Sequence, residues 1–215
     1  SPYPNEAVSQ AIRDFVAKGN MAFICTGRTL SCIHPKLLEL PWTGIVCLAG
    51  GYVELGGHVI RDLAMTPGML QRLAPILEQS DEVIRFEGLN GVVRMSADAP
   101  DAPGYARTVG DAITQLQHYS AYKILMSTSL ANCIAQDQAF EPLLCFNELE
   151  LEVTEISPRE CTKREGIQSV LDALDPNHGT VYGIGDASND ISLMNAVDVG
   201  IAMGNAPDYL KKRAD

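Results

Sequence analysis

Apolar residues recur at helical spacing along the first stretch of the chain. Val8, Ile12, Phe15 and Val16 fall at i, i+4, i+7 and i+8, behind Asn5 as an N-cap and ahead of Gly19, which predicts an amphipathic helix over residues 5–19. The pattern then changes to short unbroken apolar runs. Met21-Ala22-Phe23-Ile24-Cys25 is closed by Thr26-Gly27-Arg28, and Ile45-Val46-Cys47-Leu48-Ala49 by Gly50-Gly51. Runs of this length bounded by glycine predict strands buried on both faces, as in a parallel sheet covered by helices.

Beyond about residue 60 the texture is different. Thr66-Pro67 opens a helix to about residue 78, and the apolar pairs at 83–86 and 92–95 flank Gly88-Leu89-Asn90-Gly91 as a hairpin. Residues 98–104, rich in Pro, Asp and Ala, read as loop. A helix over 105–118, a strand over 122–126, a further helical stretch and a strand over 149–154 follow. From Ser157 the strand–helix rhythm returns, with a helix over 164–174, a strand over 180–184, a helix over 189–196 and a strand over 199–202. The expected fold class is α/β. A Rossmann-like parallel sheet core is built from residues 1–63 and 153–215, and an α+β domain over 64–152 is inserted between its halves.

Composition narrows the function classes. Among 215 residues, 46% are hydrophobic and the formal net charge is −11, which argues against a nucleic-acid backbone or an anionic membrane as partner. An anionic substrate would need local positive charge, from a metal or from placed Lys and Arg. No apolar run approaches the roughly 18 residues needed to span a bilayer, and Ser1-Pro2-Tyr3-Pro4 has no signal-peptide pattern. Cys25, Cys32, Cys47, Cys133, Cys145 and Cys161 form no Cys-x-x-Cys pair, and Cys25 and Cys47 sit in apolar runs. They read as thiols in a reducing compartment, so a cytoplasmic location is expected.

Three groups of residues could carry chemistry. In Gly183-Ile184-Gly185-Asp186-Ala187-Ser188-Asn189-Asp190, Asp186 falls just past a strand, and Asn189 and Asp190 open the next helix. Carboxylates at the C-terminal edge of an α/β sheet stand where ligands bind, and hard oxygen donors suit Mg²⁺. The blander reading is that Ser188 caps the helix and Asp190 favours its N-terminus. Thr26-Gly27-Arg28 offers a hydroxyl and backbone N–H groups to a phosphate, although threonine before glycine is also ordinary turn chemistry. Lys163, ahead of a helix with Ile167, Val170, Leu171 and Leu174 as its apolar positions, could be a point charge for a phosphate. Most lysines are solvated, and taken alone this one reads the same way.

The order of these groups along the chain resembles the haloacid dehalogenase superfamily, in its Cof-like branch with a type IIB α/β cap. Phe23-Ile24-Cys25-Thr26-Gly27-Arg28 looks like the family's second motif, Thr162-Lys163-Arg164-Glu165-Gly166-Ile167 like its third, and Gly185-Asp186-Ala187-Ser188-Asn189-Asp190 like its fourth. Ile201-Ala202-Met203-Gly204-Asn205-Ala206 looks like the usual sequel. The resemblance implies a Mg²⁺-dependent phosphatase of small phosphomonoesters such as sugar phosphates, working through an aspartyl-phosphate. Thr26 would hydrogen-bond the phosphoryl group with Gly27, and Lys163 would neutralise it. Asp186 would bind the metal with support from Asp190, Asn189 would orient phosphate or metal water, and Arg28 is a candidate substrate contact. A cap over 64–152 would select the substrate, with Arg85, Arg94, Tyr122 and Lys123 as candidates that read equally well as solvated face residues.

Two departures stand out. The family's first motif, Asp-x-Asp-Gly-Thr on the first strand, is absent from the chain, so the nucleophile is expected upstream of it and the C-terminus is expected to be cut short. Ala49-Gly50-Gly51 stands where relatives often carry Asn-Gly, so a glycine at 50 is expected to remove a polar side chain near the site. A phosphosugar mutase shares the cap type and much of the motif set. A non-enzymatic small-molecule-binding or regulatory module would follow if the nucleophile were lacking. A dinucleotide-binding dehydrogenase fits poorly, because Gly183-Ile184-Gly185 lacks the third glycine.

Overall fold

The computed structural model describes residues 3–116, 120–149, 151–187 and 190–215. Two compact units divide the chain, one of Ser1–Arg28, His34–Asp62 and Thr162–Asp215, the other of Thr29–Ile33 and Leu63–Cys161. The first unit begins with α1 (Glu6–Ala17), whose N-cap Asn5 accepts from Val8 N. Then come β1 (Phe23–Cys25), α2 (Pro35–Leu38), β2 (Gly44–Cys47), β3 (Tyr52–Leu55) and β4 (His58–Asp62). The pair β1–β2 is parallel, as the apolar runs predict, whereas β2–β3–β4 continue as an antiparallel meander. That meander was not anticipated, because β4 is mostly exposed and its residues form no apolar run.

The turn between β2 and β3 is backbone-strained. Leu48, Ala49 and Gly50 have φ of 53°, 55° and 95°, so three successive residues sit in the left-handed region. A side chain at Gly50 would meet the carbonyl oxygen of Thr162 at 2.0 Å. Only glycine allows both that φ and that approach. Gly50 therefore cannot be the position that lost a polar side chain. An asparagine there would collide, whereas Ala49 occupies a left-handed φ that asparagine tolerates well.

The second unit is built on a six-stranded sheet. It contains α3 (Pro67–Leu77), β5 (Ile84–Glu87), β6 (Val92–Met95), β7 (Tyr105–Ala106), α4 (Val109–Gln115), β8 (Lys123–Ser127), α5 (Thr128–Ala135), β9 (Leu144–Glu148) and β10 (Val153–Pro158). The strand order is β7-β6-β5-β8-β10-β9, antiparallel except between β6 and β7. The expected β5–β6 hairpin is present. Of the strand expected over 149–154, only Val153 and Thr154 are strand, the start of β10, and Leu151 and Glu152 form a turn before it. Leu149, Leu151 and Val153 alternate like a strand, but Leu151 is 93% exposed and both it and Glu152 have positive φ. The expected helix over 105–118 is shortened to α4 because Tyr105–Ala106 pairs with β6.

Because β10 pairs with β8 and β9, it completes the second unit's sheet, and the boundary expected after residue 152 falls instead after Cys161. Alternation along these strands sends Ile84, Phe86, Val93, Met95, Ile124 and Ile156 into one apolar core. The alternate positions Arg85, Glu87, Arg94, Lys123, Glu155 and Ser157 belong to the opposite face.

The chain then returns to the first unit with α6 (Lys163–Ala173), β11 (Tyr182–Gly185), α7 (Ile191–Met194), β12 (Val199–Ala202) and α8 (Asp208–Lys211). The pair β11–β12 is parallel. Among the described residues, β1 is hydrogen-bonded only to β2 and β11 only to β12, so the parallel strands lie in two sheets rather than one. Nor is β11 buried on both faces: Tyr182 and Ile184 are 59% and 64% exposed, while Gly183 and Gly185 are buried. At Gly185 a side chain would meet Asp190 within 2.6 Å, so the strand's bareness here lets Asp190 lie directly against it. No helix among the described residues is long and apolar enough to cross a membrane.

Gly50→Ala is predicted to destabilise the protein by about 2 kcal/mol or more, through strain and collision together. Gly56→Ala, at φ 57° with open space around it, should cost no more than about 1 kcal/mol. Urea midpoints of the two variants measure the difference, and equal losses would refute the collision at Gly50.

Candidate active site

The ends of β1, β11 and β12 and the start of α6 carry the polar residues of interest. Thr26 follows β1, and its N–H donates to Val46 O at 2.8 Å, extending the β1–β2 pairing by one bond. Its hydroxyl oxygen accepts from Arg28 N at 3.2 Å, which fixes the Thr26-Gly27-Arg28 turn. With its oxygen accepting, the hydroxyl hydrogen can be donated to a ligand. The Arg28 backbone carbonyl accepts from Leu48 N at 2.9 Å, while its side chain belongs to an exposed residue.

Lys163 is the first residue of α6, behind the N-cap Thr162, whose hydroxyl accepts from Glu165 N at 3.2 Å. It is not solvated. Lys163 and Asp190 are 5% and 6% exposed, and Nζ lies 2.5 Å from Asp190 Oδ1. The other oxygen of Asp190 accepts from the backbone N–H of Asp186 and of Ala187, at 2.9 and 3.0 Å. Burial pushes the Asp190 carboxyl up, but the hydrogen bond and charge of Lys163, with the two backbone donors, overcome it and hold the group below the usual carboxylate range. Asp190 makes no side-chain cap to α7. Its oxygens instead tie the loop after β11 to the start of α6.

Asp186 itself is exposed, and its Oδ2 accepts from Asn205 Nδ2 at 3.0 Å. Asn205 stands on the loop after β12, and Met203 N donates to Gly185 O at 2.9 Å, so the loops past β11 and β12 run side by side. Sequence reasoning gave Asn205 no role, although the parallel pairing of those two strands brings their following loops to the same sheet edge. Asn189, expected to orient phosphate or metal water, lies outside the described residues.

Contacts within the first unit connect these groups. Ala49 N donates to Thr26 O at 3.2 Å. The adjoining Gly50 packs on Thr162 O, and a side chain at Gly166 would lie 2.7 Å from Gly50 Cα. The 48–50 turn thus touches both the Thr26 segment and the first turn of α6. Cys25, next to Thr26, senses the buried pair: burial, with the Asp190 charge, pushes its thiol up to about 11 against the opposing pull of Lys163.

The second unit carries a buried ionic network of its own. Lys123 Nζ lies 2.6 Å from Glu155 Oε2 and 3.2 Å from Glu87 Oε2, and Arg85 Nη2 lies 2.5 Å from Glu87 Oε1. Burial disfavours the Lys123 ammonium, yet the two carboxylates raise its pKa above the ordinary value. Lys123 and Tyr122, read from the sequence as solvated, are therefore buried. For Lys123 the reason is pairing, since two carboxylates offset the loss of hydration. Arg94 is exposed, and Arg85 partly so.

The first unit is thus an α/β unit that presents a hydroxyl–glycine turn, a buried ammonium and an exposed carboxylate at the ends of its elements. The chain belongs to the haloacid dehalogenase-like hydrolases, whose family pattern matches residues 3–215. It is 28% identical to the "Putative phosphatase YkrA" of Bacillus subtilis over 98% of this chain and 83% of the relative. Among solved structures it resembles the subclass IIB sugar phosphatase BT4131 with a TM-score of 0.75, at 19% identity, over 99% of this chain and 85% of that one. It also resembles BT1666 of Bacteroides thetaiotaomicron with a TM-score of 0.75, at 20% identity, over 99% of this chain and 81% of that one.

Two outcomes check the site's electrostatics. Lys163→Met, which leaves Asp190 buried without its partner, should lower stability by about 3 kcal/mol or more in urea unfolding. Cys25, a protonated thiol at neutral pH, should react with a thiol reagent at pH 8 at least about a hundredfold slower than the exposed Cys32 and Cys133. Peptide-resolved labelling would show it, and equal rates would contradict the raised thiol.

Proposed function

We propose that the protein is a Mg²⁺-dependent phosphatase of small phosphomonoesters, sugar phosphates foremost, that works through an aspartyl-phosphate. The observation that carries this reading is the buried Lys163–Asp190 pair, tied through Asp190 to the Asp186 loop and through the 48–50 turn to Thr26. In this reading the Thr26 hydroxyl and Gly27 N–H donate to phosphoryl oxygens, and Lys163 neutralises the charge that phosphoryl transfer spreads over them. Asp190 holds the ammonium in place and orients the loop, with both its oxygens engaged in doing so. Asn189 contributes a carboxamide to the phosphate, and Arg28 reaches the substrate from its exposed position.

Asp186 fits Mg²⁺ by donor chemistry. It is an exposed carboxylate with one oxygen oriented by Asn205, and Mg²⁺ takes oxygen donors while keeping several waters. Among the described residues no group of three or more His, Cys, Asp or Glu side chains stands together as a cage. Asp186, supported by Asp190, would therefore share the ion with water and with the nucleophile's carboxylate. Bound there, Mg²⁺ would supply charge neutralisation for the phosphoryl group. The acidic nucleophile would stand on a strand between β1 and β11, a placement that their unshared edges among the described residues support.

The second unit would serve as the cap. The subclass IIB relative named for sugar phosphates supports the substrate class. The free thiols of Cys25, Cys32, Cys133 and Cys145 support a reducing, cytoplasmic setting.

Full-length protein with Mg²⁺ should release inorganic phosphate from sugar phosphates and lose that activity in EDTA. Asp186→Ala should reduce kcat at least about a hundredfold. Turnover that survives EDTA, or an isomeric sugar phosphate as product in place of inorganic phosphate, would overturn the reading.

A further inference from the structure

Arg61 stands on β4, outside every motif that points to the site. Its guanidinium reaches the junction between the 48–50 turn and α6: Nε donates to Gly50 O at 2.9 Å, and Nη1 to Ser169 Oγ at 3.4 Å. The Ser169 hydroxyl in turn donates to Glu165 O at 2.9 Å, within the first turns of α6.

The turn that Arg61 grips is the one on which the site converges. Its Leu48 and Ala49 N–H groups bond to Arg28 O and Thr26 O. Its Gly50 lies so close to Thr162 and Gly166 that neither glycine admits a side chain. Thr162 is the cap from which Lys163 departs. A guanidinium can hold two acceptors in a fixed fork, which a lysine ammonium does with less geometric control. Three successive left-handed residues form a turn with no regular ladder of its own to keep it in place, and an external clamp fixes such a segment well.

We propose that Arg61 is a positioning residue for phosphoryl transfer: by clamping Gly50 and Ser169 together it sets the Thr26 turn and the Lys163 ammonium in their mutual geometry. The inference rests on the phosphatase reading of that site. Through these bonds the effect of Arg61 is transmitted by the turn and the helix.

The test compares full-length wild-type protein with Arg61→Ala and Arg61→Lys, using the best sugar phosphate substrate and Mg²⁺. Misplacement of groups at this distance costs roughly tenfold to a hundredfold in rate. In Arg61→Ala, kcat per folded molecule should fall at least about tenfold while KM stays within about threefold, and Arg61→Lys should recover part of the loss. Amide exchange at residues 48–51 and in the first turn of α6 should be about tenfold faster in the alanine variant. A variant with a lower urea midpoint and unchanged kcat reveals a purely structural arginine and overturns the proposal, as does unchanged amide exchange at both segments. If wild-type protein turns over no phosphate ester, the phosphatase reading falls, and the exchange measurement still decides whether Arg61 holds the turn against α6.

Discussion

An ammonium and a carboxylate taken out of water together are the constraint on which the site depends. A buried ion pair contributes little net stability compared with an apolar pair of the same shape, since desolvation consumes most of the attraction. What Lys163 and Asp190 secure is placement. One oxygen of Asp190 fixes the first residue of α6, and the other fixes two backbone N–H groups of the loop after β11. A single carboxylate thereby joins segments more than twenty positions apart in sequence and holds a buried cation at the start of α6. The bare backbones of Gly185, Gly50 and Gly166 are the packing counterpart, because each makes room for an approach that any side chain would block.

The sequence disclosed this site unevenly, for physical reasons. Short apolar runs bounded by glycine identify β1, β2, β11 and β12, and the polar residues just past them announce themselves by position. Thr26, Asp186 and Asp190 therefore stand out by position, whereas Lys163 is singled out only by the order of motifs that resembles the family. The burial of Lys163 could not be read in advance, since a lysine's hydration depends on whether a distant carboxylate meets it. Arg61 gave no signal at all: β4 is an exposed edge strand, and the bonds made by its guanidinium link residues separated by 11 and 108 positions. Fold errors share a cause. Period-two alternation of Leu149, Leu151 and Val153 imitates one strand, whereas Leu151 and Glu152 form a turn and only pairing partners from elsewhere reveal β9 before it and β10 from Val153 onward. The same pairing moves the boundary of the second unit to Cys161.

The two units solve the problem of polar residues inside a fold in different ways. In the first, the buried charges serve an edge of the sheet from which loops emerge. In the second, alternation on β5, β8 and β10 puts an apolar core on one face and a set of charges on the other, with little overlap between them. The core of the second unit can tolerate conservative repacking without disturbing the charged face, because the two sets of side chains never share a neighbour on the same side of the pleat.

That charged face has a consequence for how such a protein can diverge. Lys123 sits between Glu87 and Glu155, and Arg85 pairs with Glu87, so two positive and two negative groups balance locally. Loss of Lys123 would remove the cation that Glu87 and Glu155 share in a poorly hydrated setting. Exchange at Lys123 is therefore the costliest single step on this surface, whereas Arg85 and Arg94, which reach solvent, are freer to change.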